Sequence, residues 1–264
     1  MIAVVDYRKG NLRSVERGLV AAGADARITA DAAEIASADA IVLPGVGAFA
    51  DAAATMEELG QMEAIRDRVR AGVPFLGICL GEHLMFECGV EGAPEGKPAR
   101  GLGLLPGCVT AMPREDEAGN VFKVPHVGWN TIEVPAGSGE APGEASRAVP
   151  HEPNSPVGCS CEQDCVSTAF LPAPQRDGDG QAHAASAFSC PLFDGIAPGE
   201  YFYFTHSYIA PSGDFAVAET VHSVRFTSAV QYGKRAFGVQ FHPEKSSDAG
   251  ARVLANFAAI ARGE

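Results

Sequence analysis

The chain has 264 residues, 46% hydrophobic and 20% charged, enough to bury a full core in one large domain or two small ones. Asp and Glu outnumber Lys and Arg by 33 to 20, and the net charge of −13 opposes phosphate backbones, so nucleic acid is not expected as a partner. The longest apolar runs, at 40–47 and 73–80, fall far short of the roughly 18–20 residues that cross a bilayer, so no membrane contact is expected. The N-terminal run meets Asp6 with no basic residue before it, which reads as a first strand rather than a signal peptide and predicts a cytoplasmic protein.

In chain order, 2–5 is a continuous apolar run suited to a strand buried on both faces, and Asn11 can cap a helix carrying Leu12, Val15, Leu19 and Val20. A second cycle passes through a strand at 26–29. A third strand, 40–43, ends in Pro44-Gly45-Val46-Gly47. A helix at 62–70 leads to a strand at 73–78 and a further helix at 82–88. Strand–turn–helix alternation predicts an α/β fold with a doubly wound, mainly parallel sheet, whose site lies at the carboxyl ends of its strands. The segment 135–190 is rich in Pro and Gly and weakly periodic, as expected of an irregular insertion. Strands at 201–208, 215–218 and 236–241 and a helix at 248–261 close the chain.

Gly77-Ile78-Cys79-Leu80-Gly81 falls where a predicted strand turns into a predicted helix. Small flanking residues permit the strained elbow that exposes a nucleophile, and the helix N-terminus favours a thiolate. A thiolate needs a base and a group to orient it. His242-Pro243-Glu244 supplies both at a spacing of two, and continuation of the preceding strand would send the two side chains to one side. Oxyanion donors are expected from the backbone of the Gly45-Val46-Gly47 loop and from the N–H of Leu80. His206, within an aromatic strand, reads as a packed or interface residue.

The elbow with His242-Pro243-Glu244 resembles the class I, triad glutamine amidotransferases. Further motifs narrow the likeness to the glutaminase subunit of imidazole glycerol phosphate synthase: Asp6-Tyr7 with Gly10-Asn11-Leu12, Leu43 to Phe49, Lys123 to Asn130, Tyr203 to Tyr208 and Phe237 to Ser247. The resemblance implies one amidotransferase domain over 1–264, interrupted at about 135–190, that uses no cofactor. It implies glutamine as substrate, Cys79, His242 and Glu244 as the triad, and a conditional oxyanion hole at Gly45, Val46 and Gly47. Ammonia would pass to a (β/α)8-barrel synthase partner in a heterodimer making imidazole glycerol phosphate and aminoimidazole carboxamide ribotide. Asn11, Trp129, Tyr208 and Lys245 match positions at that interface. Two departures stand out. His83 replaces the family's substrate-binding glutamine and is expected to keep one hydrogen bond to substrate. Arg8 replaces a glycine and is strained if that backbone needs positive φ. A glutaminase for a different synthase, and a scaffold that has lost hydrolysis, stay open as alternatives.

Seven cysteines, an odd number, predict reduced thiols rather than a disulfide framework, with Cys88 and Cys108 as packing residues. Cys159, Cys161, Cys165 and Cys190, with His151 and His183 near, could hold a tetrahedral zinc or be incidental thiols of a solvated loop.

Overall fold

The computed structural model describes residues 1–135 and 188–264. In chain order these form β1 (Ile2–Val5), α1 (Leu12–Ala21), β2 (Ala26–Thr29), α2 (Ala32–Ser37), β3 (Ala40–Gly45), α3 (Phe49–Glu58), α4 (Gln61–Arg70), β4 (Phe75–Cys79), α5 (Leu80–His83) and β5 (Phe86–Gly89). There follow β6 (Ala99–Arg100), β7 (Leu105–Ala111), β8 (His126–Ile132), β9 (Glu200–His206), β10 (Tyr208–Ile209), β11 (Ala216–Val221), β12 (Arg225–Tyr232), β13 (Ala236–Val239) and α6 (Ser247–Arg262).

The main sheet has seven strands in the order β11-β12-β13-β4-β3-β1-β2. From β13 to β2 every pairing is parallel, and the two pairings beyond β13 are antiparallel. Alternate residues of one strand feed two cores. Ile2 and Val4 pack with Val15 and Leu19 of α1 and with Val253, Leu254 and Phe257 of α6. Ala3 and Val5 pack with Ile35 of α2, Met56 of α3 and Ile65 and Val69 of α4. Period-2 alternation against helices on both faces is what a doubly wound sheet requires. The mainly parallel expectation is borne out, with an antiparallel edge that weak periodicity hid at β12.

Three readings change. The helix expected at 82–88 is a single turn, α5, followed by strand β5, because Phe86 to Gly89 pair with β7. Asn11 occupies the N-cap of α1 but its side chain makes no capping bond. Cys88 and Cys108, expected as separate packing thiols, are joined as a disulfide, since the β5–β7 register sets them opposite with Cα atoms 4.5 Å apart. Arg8 has φ 73, so the strain anticipated there is present. β8 and β9 pair antiparallel from His126↔His206 to Ile132↔Glu200, so the chain leaves and re-enters at one end of this ribbon.

Candidate active site

Cys79 ends β4 with φ 54, a conformation that costs a non-glycine residue of order 1 kcal/mol or more and is characteristic of functional turns. Glycines permit it. A Cβ on Gly81 would fall 1.8 Å from the Leu43 carbonyl oxygen, and one on Gly77 2.5 Å from that of Gly81. Only bare backbone allows α5 to sit this close to β3 and β4. Parallel pairing then places Gly45 beside Cys79 at the carboxyl edge.

His242 and Glu244 meet in a way the strand extrapolation missed. The strand stops, and Pro243 opens a one-turn 3-10 helix over Pro243–Lys245. The turn brings His242 Nδ1 to 3.0 Å from Glu244 Oε1, with both side chains nearly excluded from solvent. Asn11 Nδ2 donates to the same oxygen at 3.3 Å, tying α1 to the site. A carboxylate only accepts, so Nδ1 carries a proton and Nε2 is left for the sulfur. Nε2 falls short of a full hydrogen bond, yet sulfur and imidazole interact electrostatically. Burial pulls the His242 pKa down, but the Cys79 charge and the Glu244 bond outweigh it and carry it up to about 10. Burial likewise raises the Glu244 carboxyl, and its bond to His242 brings it below the usual range. The His242 N–H donates to Tyr203 O at 2.9 Å. Ser246 Oγ donates to His242 O at 2.6 Å and accepts from Tyr203 N at 3.0 Å, so β9 holds the turn in place.

The loop expected to supply oxyanion donors is partly engaged. Val46 N donates to the hydroxyl of Tyr7 at 3.0 Å, and Tyr7 is fully buried, its pKa raised by burial. Tyr7 follows β1, which lies on the far side of β3 from β4 and Cys79. Leu80 opens α5, and Gly47 has φ 96.

His83 is buried, and its Nε2 lies 2.7 Å from Gln240 Oε1, so that nitrogen is engaged within the protein. Burial, offset only in part by this bond, pushes its pKa down to about 4, so it stays neutral in ordinary buffers. Gln240 Nε2 in turn lies 3.7 Å from Cys79 Sγ, and the Thr205 carbonyl is 4.0 Å from the same sulfur. Gln240, Tyr7 and Ser246 were missed in the sequence. Gln240, two before His242 in the same run, carried the one usable signal.

Glu82 is fully buried on α5, and neither carboxyl oxygen has a hydrogen-bond partner among the described residues. Burial first, and the Cys79 charge second, hold its carboxyl well above the usual value of 4.5. A group whose pKa rises on folding favours the fold below its unfolded value and costs stability as pH climbs through the folded one. The Glu82 contribution to stability should therefore decline as pH rises above about 4.5. Glu82→Met, similar in length but apolar, should flatten that slope and raise Tm by roughly 3–6 °C at pH 8, with little gain at pH 4, in thermal melts at both pH values.

The four residues matched to a partner surface divide. Trp129 packs edge-on to Tyr203, with ring centroids 6.1 Å apart, and Lys245 Nζ lies 5.7 Å from the same ring. Asn11 is bonded instead to Glu244, the residue before Lys245. Tyr208 stands apart on β10, where its carbonyl bonds His206 Nδ1 at 2.9 Å. His206 is buried and paired with His126 at 3.0 Å, a packed residue. Cys159, Cys161, Cys165, His151 and His183 lie outside the described residues. Cys190 is a buried core thiol whose pKa burial pushes up to about 11, a poor metal ligand. Among the described residues no group of three or more His, Cys, Asp or Glu could hold a metal.

An elbow cysteine beside a carboxylate-bound histidine on a doubly wound sheet defines a class, and the family model for class-I glutamine amidotransferases matches residues 3–261. A solved structure described as a glutamine amidotransferase shares the fold, with a TM-score of 0.59, 16% identity and full coverage of both chains. More particularly, the chain belongs to the family of HisH subunits of imidazole glycerol phosphate synthase. It is 38% identical to the HisH subunit of Moorella thermoacetica, covering 99% of this chain and 95% of that one. It is 36% identical to that of Caldanaerobacter subterraneus subsp. tengcongensis, covering 97% of each.

Proposed function

We propose that the chain is a glutaminase subunit that hydrolyses glutamine to glutamate and ammonia and delivers the ammonia to a (β/α)8-barrel synthase for histidine biosynthesis. The observation that carries this reading is the buried pairing of His242 with Glu244 facing the strained Cys79. The Cys79 sulfur attacks the side-chain amide carbon, and the oxyanion that forms is held by the N–H groups of Leu80 and Val46. The His242 imidazolium gives its Nε2 proton to the departing ammonia, the C–N bond breaks and a thioester remains. Water, its proton taken by His242, then releases glutamate and restores the thiolate. Glu244 keeps Nδ1 protonated throughout, and Asn11 steadies Glu244.

The half-buried group of Trp129, Tyr203 and Lys245 supports docking of the barrel as a heterodimer, with Asn11 and Tyr208 at its margins. We read the chain as one amidotransferase domain whose insertion at about 135–190 springs from the β8–β9 ribbon. No helix among the described residues is long and apolar enough to cross a membrane. A cytoplasmic setting suits a small-molecule biosynthetic enzyme.

The test is glutamate release with and without the barrel synthase and its nucleotide ligand. Release that is slow alone and rises strongly with both supports the reading, whereas equal release in both conditions counts against gating by the partner. No release in either identifies a scaffold. The Val46 N–H held by Tyr7 gives a reason for slow release by the subunit alone. Tyr7→Phe deletes the hydroxyl that engages it, and partner-independent release is expected to rise about tenfold, with the activation ratio falling accordingly and KM little changed.

A further inference from the structure

His83 and Gln240 form a buried pair directed at the nucleophile. β13 runs parallel to β4 with Val239 opposite Ile78, so the next residues, Gln240 and Cys79, stand side by side. Gln240 is fully buried, and its backbone N–H is bonded to Ser228 O at 3.0 Å, so its stem is fixed. Its amide has two ends with different partners. The oxygen faces His83 Nε2 at 2.7 Å and the nitrogen faces Cys79 Sγ at 3.7 Å.

The chemistry of the pair fixes its polarity. An amide oxygen only accepts, so His83 presents Nε2–H to it, which leaves the amide NH2 turned to the sulfur. An amide flip would set the NH2 against His83 and the carbonyl oxygen against a thiolate, placing two electron-rich atoms in contact. Because burial keeps His83 neutral, the donated bond neither imports a charge nor competes with His242.

We propose that Gln240 is a further catalytic residue, whose amide N–H holds and stabilises the Cys79 thiolate for attack, and that His83 is the positioning residue that orients the amide. The inference rests on Cys79 being the nucleophile. It gives His83 a role in place of substrate binding. As the C–S bond forms, the sulfur loses charge and the N–H contact weakens, so the bond serves the resting thiolate more than the thioester. Three titratable groups also interact with this sulfur and set the background against which the contribution is read. They are His242 from the turn after β13, Glu82 from α5 and Tyr7 from the segment after β1.

The experiment uses the subunit in complex with its barrel synthase and compares Gln240→Leu, His83→Phe and His83→Gln. One readout is alkylation of Cys79 by iodoacetamide across pH, followed by mass spectrometry of the Cys79 peptide. The other is steady-state glutamate release. Gln240→Leu and His83→Phe should each slow alkylation at pH 7 about tenfold, move its profile to higher pH and lower kcat about tenfold with KM within twofold. His83→Gln, whose amide can donate the same bond, should stay within about threefold of the unaltered protein in both readouts. Unshifted alkylation in Gln240→Leu, or a raised KM with an unchanged profile, overturns the proposal, the latter in favour of glutamine binding. If Gln240→Leu does not fold, Gln240→Glu replaces it, because a carboxylate against the sulfur should slow alkylation more strongly still. Turnover surviving in Cys79→Ala would instead remove the nucleophile reading beneath the proposal.

Discussion

Replacement of Cys79 by alanine is expected to lower glutamate release by roughly ten-thousandfold or more, to the background of the assay. The expectation follows from geometry rather than from cysteine chemistry in general. The sulfur is the one atom that the elbow, His242 Nε2, Gln240 Nε2 and the Thr205 carbonyl all face, and alanine leaves no nucleophile among them. The loss should fall on kcat, since the substitution removes one heavy atom, the sulfur that carries the nucleophilic charge, without touching the glycine contacts that shape the turn. A second measurement separates lost chemistry from lost folding. The same variant, mixed with the barrel synthase and supplied with ammonium chloride, should still form the complex and support synthesis from free ammonia. If the variant neither binds nor supports that synthesis, the substitution has damaged the fold and the rate says nothing about Cys79.

Glu244→Gln is expected to cost between a hundredfold and ten-thousandfold in kcat with KM within a few-fold. Glu244 Oε1 takes two donors, His242 Nδ1 and Asn11 Nδ2, in a place nearly closed to solvent. An amide in the same place can keep its oxygen toward those donors only by burying its NH2 without a charge to complement. Turned the other way, it offers a donor to Nδ1 and forces the proton to Nε2, where it blocks acceptance from the thiol. The pH dependence gives an independent check. In the unaltered protein, burial lowers the imidazolium pKa while Cys79 and Glu244 raise it, to about 10 in sum. Removing the carboxylate charge takes away one of the raising contributions, so the alkaline limb of kcat should move to lower pH. A kcat profile superimposable on the unaltered one would show that Glu244 does not act through the imidazole.

The parts of this site that were legible in the sequence are those that lie within one short segment. The elbow glycines flank Cys79 by two on either side, and His242 and Glu244 are two apart, so local spacing alone brought the candidates forward. Segment-to-segment register was not legible. Gln240 reaches Cys79 because β13 and β4 pair with Val239 opposite Ile78, and Cys88 reaches Cys108 because β5 and β7 pair in parallel. Neither offset is written in either strand by itself. Even the His242–Glu244 contact, rightly anticipated, arose from a proline-opened turn and not from the extended strand that suggested it. Tyr7 read as one letter of a motif, and only the β1–β3 pairing shows its hydroxyl at the Val46 N–H.

The glycine contacts at the elbow have a consequence for how the neighbouring loop can move. A Cβ on Gly45 would fall 2.6 Å from Leu80 Cβ and 2.8 Å from Gly81 N, and one on Gly81 would all but coincide with the Leu43 carbonyl oxygen. At Gly81 main chain rests directly on main chain, and at Gly45 the nearest atoms are Leu80 Cβ, held close to its own backbone, and Gly81 N, so little here can be compressed or change rotamer. Such a seat has almost no give in translation, so the tip beyond Gly45 cannot slide toward Cys79 or away from it. The freedom that remains is torsional: a peptide plane turning on its own axis about Val46, with Gly47, already at φ 96, absorbing the twist. On the proposed reading of Val46 as an oxyanion donor, control of that donor would act as a rotary switch, fixed in place and changing only the direction in which an N–H points.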